Sequence, residues 1–295
     1  MKDLAATFFV SLAFDFGRYA LVACAVFATF WLWLGDRLHH RWLRPRAPET
    51  ASMVREIRAS VRTVLIFAVL GTVVVFGRRA GVFRIYLDPH RHGIPYLLAT
   101  PLILIVLQDT YFYFMHRAMH HRWLYHAVHH EHHISRHTSP FTAYAFSPAE
   151  ALAHGLFVPL VTLVLPAHVI AVFVFLAFMI VRNVLGHLAI ELYPRGFVAH
   201  RLGAMHTTTT HHALHHLRPH TNFGLYFTWW DRALGTTDPT YERRFAEVTA
   251  PRGTAVEIAT PASPVARLPL HRSALLATPS PSRLRCPAPA PTARP

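Results

Sequence analysis

Histidines recur along this chain at the spacing of helix turns: HRAMH at residues 116–120, HHEHH at 129–133 and HHALHH at 211–216. Side chains at i and i+4, or at i, i+3 and i+4, leave a helix on one face. Each block therefore presents a row of imidazoles in one direction. Neutral imidazole is a common ligand for zinc, copper, iron and nickel. So many imidazoles cannot be buried together without a cation, because their lone pairs would face no donor. The pattern predicts helices that converge on a metal centre, with donors enough for more than one ion.

The rest of the chain belongs in a membrane. Of 295 residues, 53% are hydrophobic and 15% charged, and the mean hydropathy is +0.27. Soluble domains carry roughly 25% charged residues. Apolar stretches at 19–34, 63–76, 94–115, 152–165 and 169–181 are candidates for insertion, and Pro166 divides the last two. The first extends upstream through 8–16, where Asp15 and Arg18 interrupt it. Several fall short of the ~20 residues a perpendicular span requires, so helical hairpins are expected, some dipping into the bilayer. No secretory leader is expected: Asp3 and Asp15 spoil the charge pattern that Lys2 begins.

The net charge of +14 does not indicate nucleic acid. Arg37, Arg41, Arg44, Arg46, Arg55, Arg58 and Arg62 flank apolar segments, where positive charge marks the cytoplasmic side and meets anionic lipid. That placement puts every histidine block on the cytoplasmic face, in a bacterial inner membrane. Cys24 and Cys286 cannot build a disulfide framework or an iron–sulfur cluster. No GxGxxG or P-loop occurs, so a reductant must come from another protein.

The expected fold is all-α: an integral-membrane helical bundle capped by a cytoplasmic, His-rich, di-metal helical layer. Residues 1–93 read as membrane helices and a basic loop, 94–245 as the catalytic domain, and 246–295 as a Pro-rich disordered tail. Asp109, Tyr113, His116 and His120 follow one another at i+3 and i+4 steps. Asp109 can thus accept the second ring N–H of a ligating histidine; the alternative is a helix cap or a snorkelling carboxylate.

The order HxxxH, HxxHH and a distant HxxHH, spread around apolar hairpins, resembles the fatty acid hydroxylase/sterol desaturase superfamily of membrane di-iron oxygenases. The flanking text carries the likeness as well: YFYFMHRAMHHRWLY, HHISRHTSPFTAYAFSPAEAL, NVLGHLAIELYP and THHALHHLRPHTNFGLYFTWWDRALGT, together within about 105–237. The resemblance implies His116, His120, His129, His132, His133, His187, His212, His215 and His216 as iron ligands, with His211 an extra ligand or a supporting group. Glu191 would be either a carboxylate ligand or a partner behind one. It also implies two iron ions, O2 as co-substrate, and a lipid substrate that is sterol-like, fatty acyl or another isoprenoid. Electrons would come from NAD(P)H through a reductase with a cytochrome or ferredoxin. One departure stands out: many relatives have histidine where this chain has Ser147, in FSPAE at 146–150.

The second block fits HxxHH in two frames, ending at His130 or at His133. The later frame is preferred, because ISRHTSPF then follows the pair as it does in family members. His126 and His130 fall outside it. Isolated histidines such as His39, His90, His154, His168 and His206 read as solvated or hydrogen-bonded rings. Two other functions use the same residues, a membrane metal transporter and a zinc hydrolase. A transporter needs ligands at mid-bilayer depth, whereas one catalytic zinc uses fewer ligands than are supplied here.

Overall fold

The computed structural model describes residues 2–43 and 50–251. Among these residues, four helices are long and apolar enough to cross a membrane. Helix α1 (Lys2–Phe27) runs on into a wider π-helical stretch, Ala28–Trp33; α2 is Thr50–Arg79, α3 Ile94–Met119. Two short helices follow the second histidine block and its 1-turn helix α4 (His130–His133): α5 (Pro148–Gly155) and α6 (Phe157–Val164). The fourth long helix is α7 (Val169–Gly186), and α8 (Thr209–Leu217), α9 (Trp229–Ala233) and α10 (Tyr241–Val248) close the described chain. Leu98, Leu102, Val69 and Val164 point outward, as lipid-facing residues do.

Two expectations shift. Helix α1 is continuous from Lys2, because the charges that interrupt its apolar run neutralise each other: Arg18 lies 2.7 Å from Asp15. The 152–165 stretch does not make one spanning helix. It breaks at Leu156 into α5 and α6, each 8 residues long, about 12 Å at 1.5 Å per residue. Ser147 caps α5 by accepting from Glu150 N, with Pro148 preset in the first turn. Gly155 sits where α5 meets α2, and a Cβ there would stand 2.3 Å from Leu70 Cδ1.

Strands β1 (Ile85–Tyr86) and β2 (Ala167–His168) pair in parallel, tying the α2–α3 connection to the α6–α7 connection. His168 is a buried, hydrogen-bonded ring, as read from sequence: it accepts from Ile170 N and its Nε2 lies 2.9 Å from Leu87 O. One core joins α1, α2 and α7 through Tyr19, Val64, Tyr144 and Ile180. A second joins α3, α6 and α7 through Leu104, Phe157, Phe175 and Tyr226. Helix α10 packs on α8 through Tyr241, Phe245 and Leu214 and continues through Val248, beyond the composition change at 246. The rest of the expected disordered tail, from 252 on, lies outside the described residues. His120 and His187 stand at the C-terminal ends of α3 and α7, so both helices deliver histidines to one end of the bundle.

Candidate metal centre

At that end nine of the ten predicted histidines meet in two groups. His116, His120, His129, His133 and His215 form the first, and His132, His187, His212 and His216 the second; within each, the ligand atoms lie within 4.8 Å of one another. The groups touch, with His133 and His216 ring centroids 4.8 Å apart. The i, i+4 pairs stay together: His116 with His120, His129 with His133, His212 with His216. The third member of each HxxHH crosses over, since a residue one step along a helix points ~100° away. His132 joins the second group and His215 the first. His126 and His130 are exposed and lie outside both.

Hydrogen bonds fix which ring nitrogen faces inward. His116 Nδ1 donates to Phe223 O at 3.0 Å, His215 Nδ1 to Thr221 O at 2.7 Å, and His187 Nδ1 to Asn183 O at 2.8 Å. His129 Nδ1 donates to Glu150 Oε1 at 2.7 Å. With the proton held there, each Nε2 keeps a bare lone pair. Yet His116 Nε2 and His129 Nε2 are 3.0 Å apart, with His133 Nε2 3.1 Å from both His129 and His215. In the second group His212 Nε2 lies 2.9 Å from His187 and 3.1 Å from His216. Lone pairs that face each other at such distances repel unless a cation lies among them. The donor set therefore fits metal ions, one for each group, in all-imidazole surroundings.

Burial holds these rings neutral. Burial lowers His129 to about 3 and His187 to about 4, from 6.5. His132, His133, His212, His215 and His216 are lowered by burial and then by neighbouring imidazoles. In the metal-free protein the unfolded chain binds more protons than the folded one between pH 6.5 and these depressed values. Stability is therefore fully present above 6.5 and lost as pH falls below it. Thermal melting of chelated protein from pH 8 to 5 should show Tm dropping steeply below about 6.5; a flat profile would mean the rings are not buried neutral.

The supports behind the histidines differ from the sequence expectation. Asp109 touches none of them: its Oδ1 accepts from Tyr226 N at 2.7 Å and Phe227 N at 3.1 Å. The role expected of it belongs to Glu150, fully buried beside His129, with its carboxyl pushed up to about 7 by burial. Ser147 donates to Val128 O while capping Glu150 N, so it ties the residue before His129 to the helix bearing that carboxylate. His211 is not with the metal-facing rings. It is wholly buried with Nε2 3.4 Å from Asp231 Oδ2 and packs on Tyr241. Glu191 is not turned to the groups: it accepts from Thr210 N, Thr210 Oγ1 and Tyr193 N, which anchors the start of α8.

Asp231, which no motif singles out, has a long reach in the structure. It accepts from Phe223 N and Gly224 N, both at 2.8 Å, and from Thr236 Oγ1 at 2.7 Å. The loop it grips supplies the carbonyls of Thr221 and Phe223 that orient His215 and His116. Gly224 is required there, since a Cβ would come 2.8 Å from Asp231 Oδ2. His154, read as an isolated ring, lies 3.7 Å from Glu150 Oε1 and stacks on Phe146, which in turn packs on His132.

Helices long and apolar enough to span a bilayer and a layer of convergent imidazoles mark a membrane protein whose histidine clusters are compatible with a metal site. Residues 101–236 match the fatty acid hydroxylase family, and with the motifs and the relatives that follow this supports membership of the fatty acid hydroxylase/sterol desaturase superfamily. The chain is 34% identical over 156 residues to methylsterol monooxygenase 1 of Danio rerio, covering 52% of this chain and 51% of that protein. It is 27% identical over 185 residues to lathosterol oxidase of Homo sapiens, covering 62% and 60%. It is 34% identical over 142 residues to very-long-chain aldehyde decarbonylase GL1-6 of Oryza sativa subsp. indica, covering 45% and 22%. The chain thus spans 60% or less of the length of each of these relatives. No solved structure matches it.

Proposed function

We propose that the protein is a di-iron oxygenase that hydroxylates or desaturates an unactivated C–H position of a lipid, using O2 and electrons from a cytochrome or ferredoxin served by an NAD(P)H reductase. The histidine layer faces the cytoplasm in this reading. The observation that carries it is the pair of adjoining all-imidazole groups at the C-terminal ends of α3 and α7. When bound there, iron supplies the reduction of O2 to an oxidant strong enough for an unactivated C–H bond. His116, His120, His129, His133 and His215 hold one ion and His132, His187, His212 and His216 the other. Glu150 keeps the proton on His129 Nδ1, so its Nε2 stays free to bind. Phe112, Phe146 and Phe223 pack against the rings and keep water from them.

The names of the relatives support a lipid substrate, sterol-like in two cases and long-chain in the third. The transporter reading is weaker, because the histidines gather at helix ends. A lone catalytic zinc would leave most of the nine imidazoles without a partner. The test is incubation of the iron-loaded protein with a lipid extract, a chemical reductant and 18O2. The expected result is a lipid that gains one 18O or loses two hydrogens only when O2 and reductant are present. Hydrolysis products formed without O2 would defeat the proposal. Lipidomics of a deletion strain against wild type identifies the substrate.

A further inference from the structure

An apolar cavity of about 350 Å³ lies among α1, α2, α6 and α7 and reaches Phe146 and His154 beside the histidine layer. Its walls are mostly Val, Leu, Ile, Phe and Met, which suits a lipid body. Polar side chains interrupt them, among them Gln108, Tyr144, Asp15 and Arg18. Gln108 is 2% exposed and its Oε1 has no partner; Tyr144 is 1% exposed and its OH has none either. Asp15 and Arg18 line the same cavity as an ion pair, and the Arg18 guanidinium lies over the Tyr144 ring.

Burying a polar atom without a partner is unfavourable, so a ligand that satisfies these two gains affinity from them. An amide and a phenol each donate and accept, and a ligand hydroxyl answers both, whichever way the amide is turned. A carboxylate does not fit this station. Arg18 is already neutralised: its Nε and Nη2 lie on Asp15 and its Nη1 on Leu176 O. The Asp15 charge would repel a second anion.

We infer that the cavity is a lipid-binding site in which Gln108 and Tyr144 read the hydroxyl of an uncharged lipid alcohol. The inference deepens the oxygenase reading by giving that substrate a class and a place, and it rests on that reading only for the catalytic use of the site. Arg78 at the outer end of the cavity offers the competing arrangement, an acid held by its carboxylate with only its tail inside.

Binding of tritiated hexadecan-1-ol, 1-methoxyhexadecane and hexadecanoate to the full-length protein in detergent separates these. The ether accepts a hydrogen bond but cannot donate one. The alcohol should bind about tenfold more tightly than the ether, one hydrogen bond's worth, and more tightly than the acid. Gln108→Leu and the nearly isosteric Tyr144→Phe should each erase most of that preference without lowering the melting temperature. Equal affinity for alcohol and ether, or tightest binding of hexadecanoate with that preference lost in Arg78→Leu, would overturn the inference. Alcohol-selective binding without O2-dependent turnover supports the site and defeats the oxygenase reading instead.

Discussion

Single alanine replacements in the second histidine block are expected to divide into two classes by iron content. His126→Ala and His130→Ala should keep the metal, since both rings are exposed and outside the groups. His129→Ala, His132→Ala and His133→Ala should each bind less of it, because each removes an inward Nε2. The structure adds an order within the second class. His132 belongs to a group of four donors, whereas His129 and His133 share a group of five. His132→Ala should therefore bring iron down to the content of one group, with loss of activity. His133→Ala should weaken the other group less. Metal analysis across the five variants decides it. Iron lost from His126→Ala and His130→Ala but kept in His132→Ala and His133→Ala would reverse the reading frame.

Asp231→Ala is expected to be as damaging although it removes no ligand. It leaves the amides of Phe223 and Gly224 and the hydroxyl of Thr236 without their acceptor, all in a buried setting. At about 1–3 kcal/mol for each unpaired group, a loss of about 3 kcal/mol or more follows. The freed loop also ceases to fix Phe223 O and Thr221 O behind His116 and His215. Metal affinity should then drop about 10–100-fold, the usual consequence of losing such support. Thermal melting and iron titration of the variant measure both effects. Wild-type stability and affinity would show that the loop holds its shape without the carboxylate.

The helical spacing of the histidines made eight of the nine clustered rings legible in the sequence; His187 came only from the family resemblance, and the flanking text favoured the later frame of the second block. What spacing could not convey is the division into two groups. That also depends on how the helices are turned toward one another, and before α4 the chain takes a wide π-turn at Tyr125–His129. Glu150 was in plain view within FSPAE, but 21 residues separate it from His129, and no periodicity links them. Asp109 stood at helical spacing from His116 and drew the role instead. Its carboxylate is taken by two backbone amides from the 226–227 loop, a contact that any sequence could make there. Asp231 was missed for the same reason: it acts on peptide groups, which carry no signature. The break of the fourth apolar stretch at Leu156 was equally silent, because hydropathy does not register a helix end.

The central claim is that the two imidazole groups each hold an iron ion. Iron analysis of the purified full-length protein after anaerobic loading with Fe(II), paired with O2 uptake on adding reductant and lipid, tests it most directly. The account predicts iron at the content of two sites per chain, O2 consumed in the presence of lipid, and iron halved in His132→Ala. One tightly held zinc ion per chain, with no O2 consumed, would contradict it.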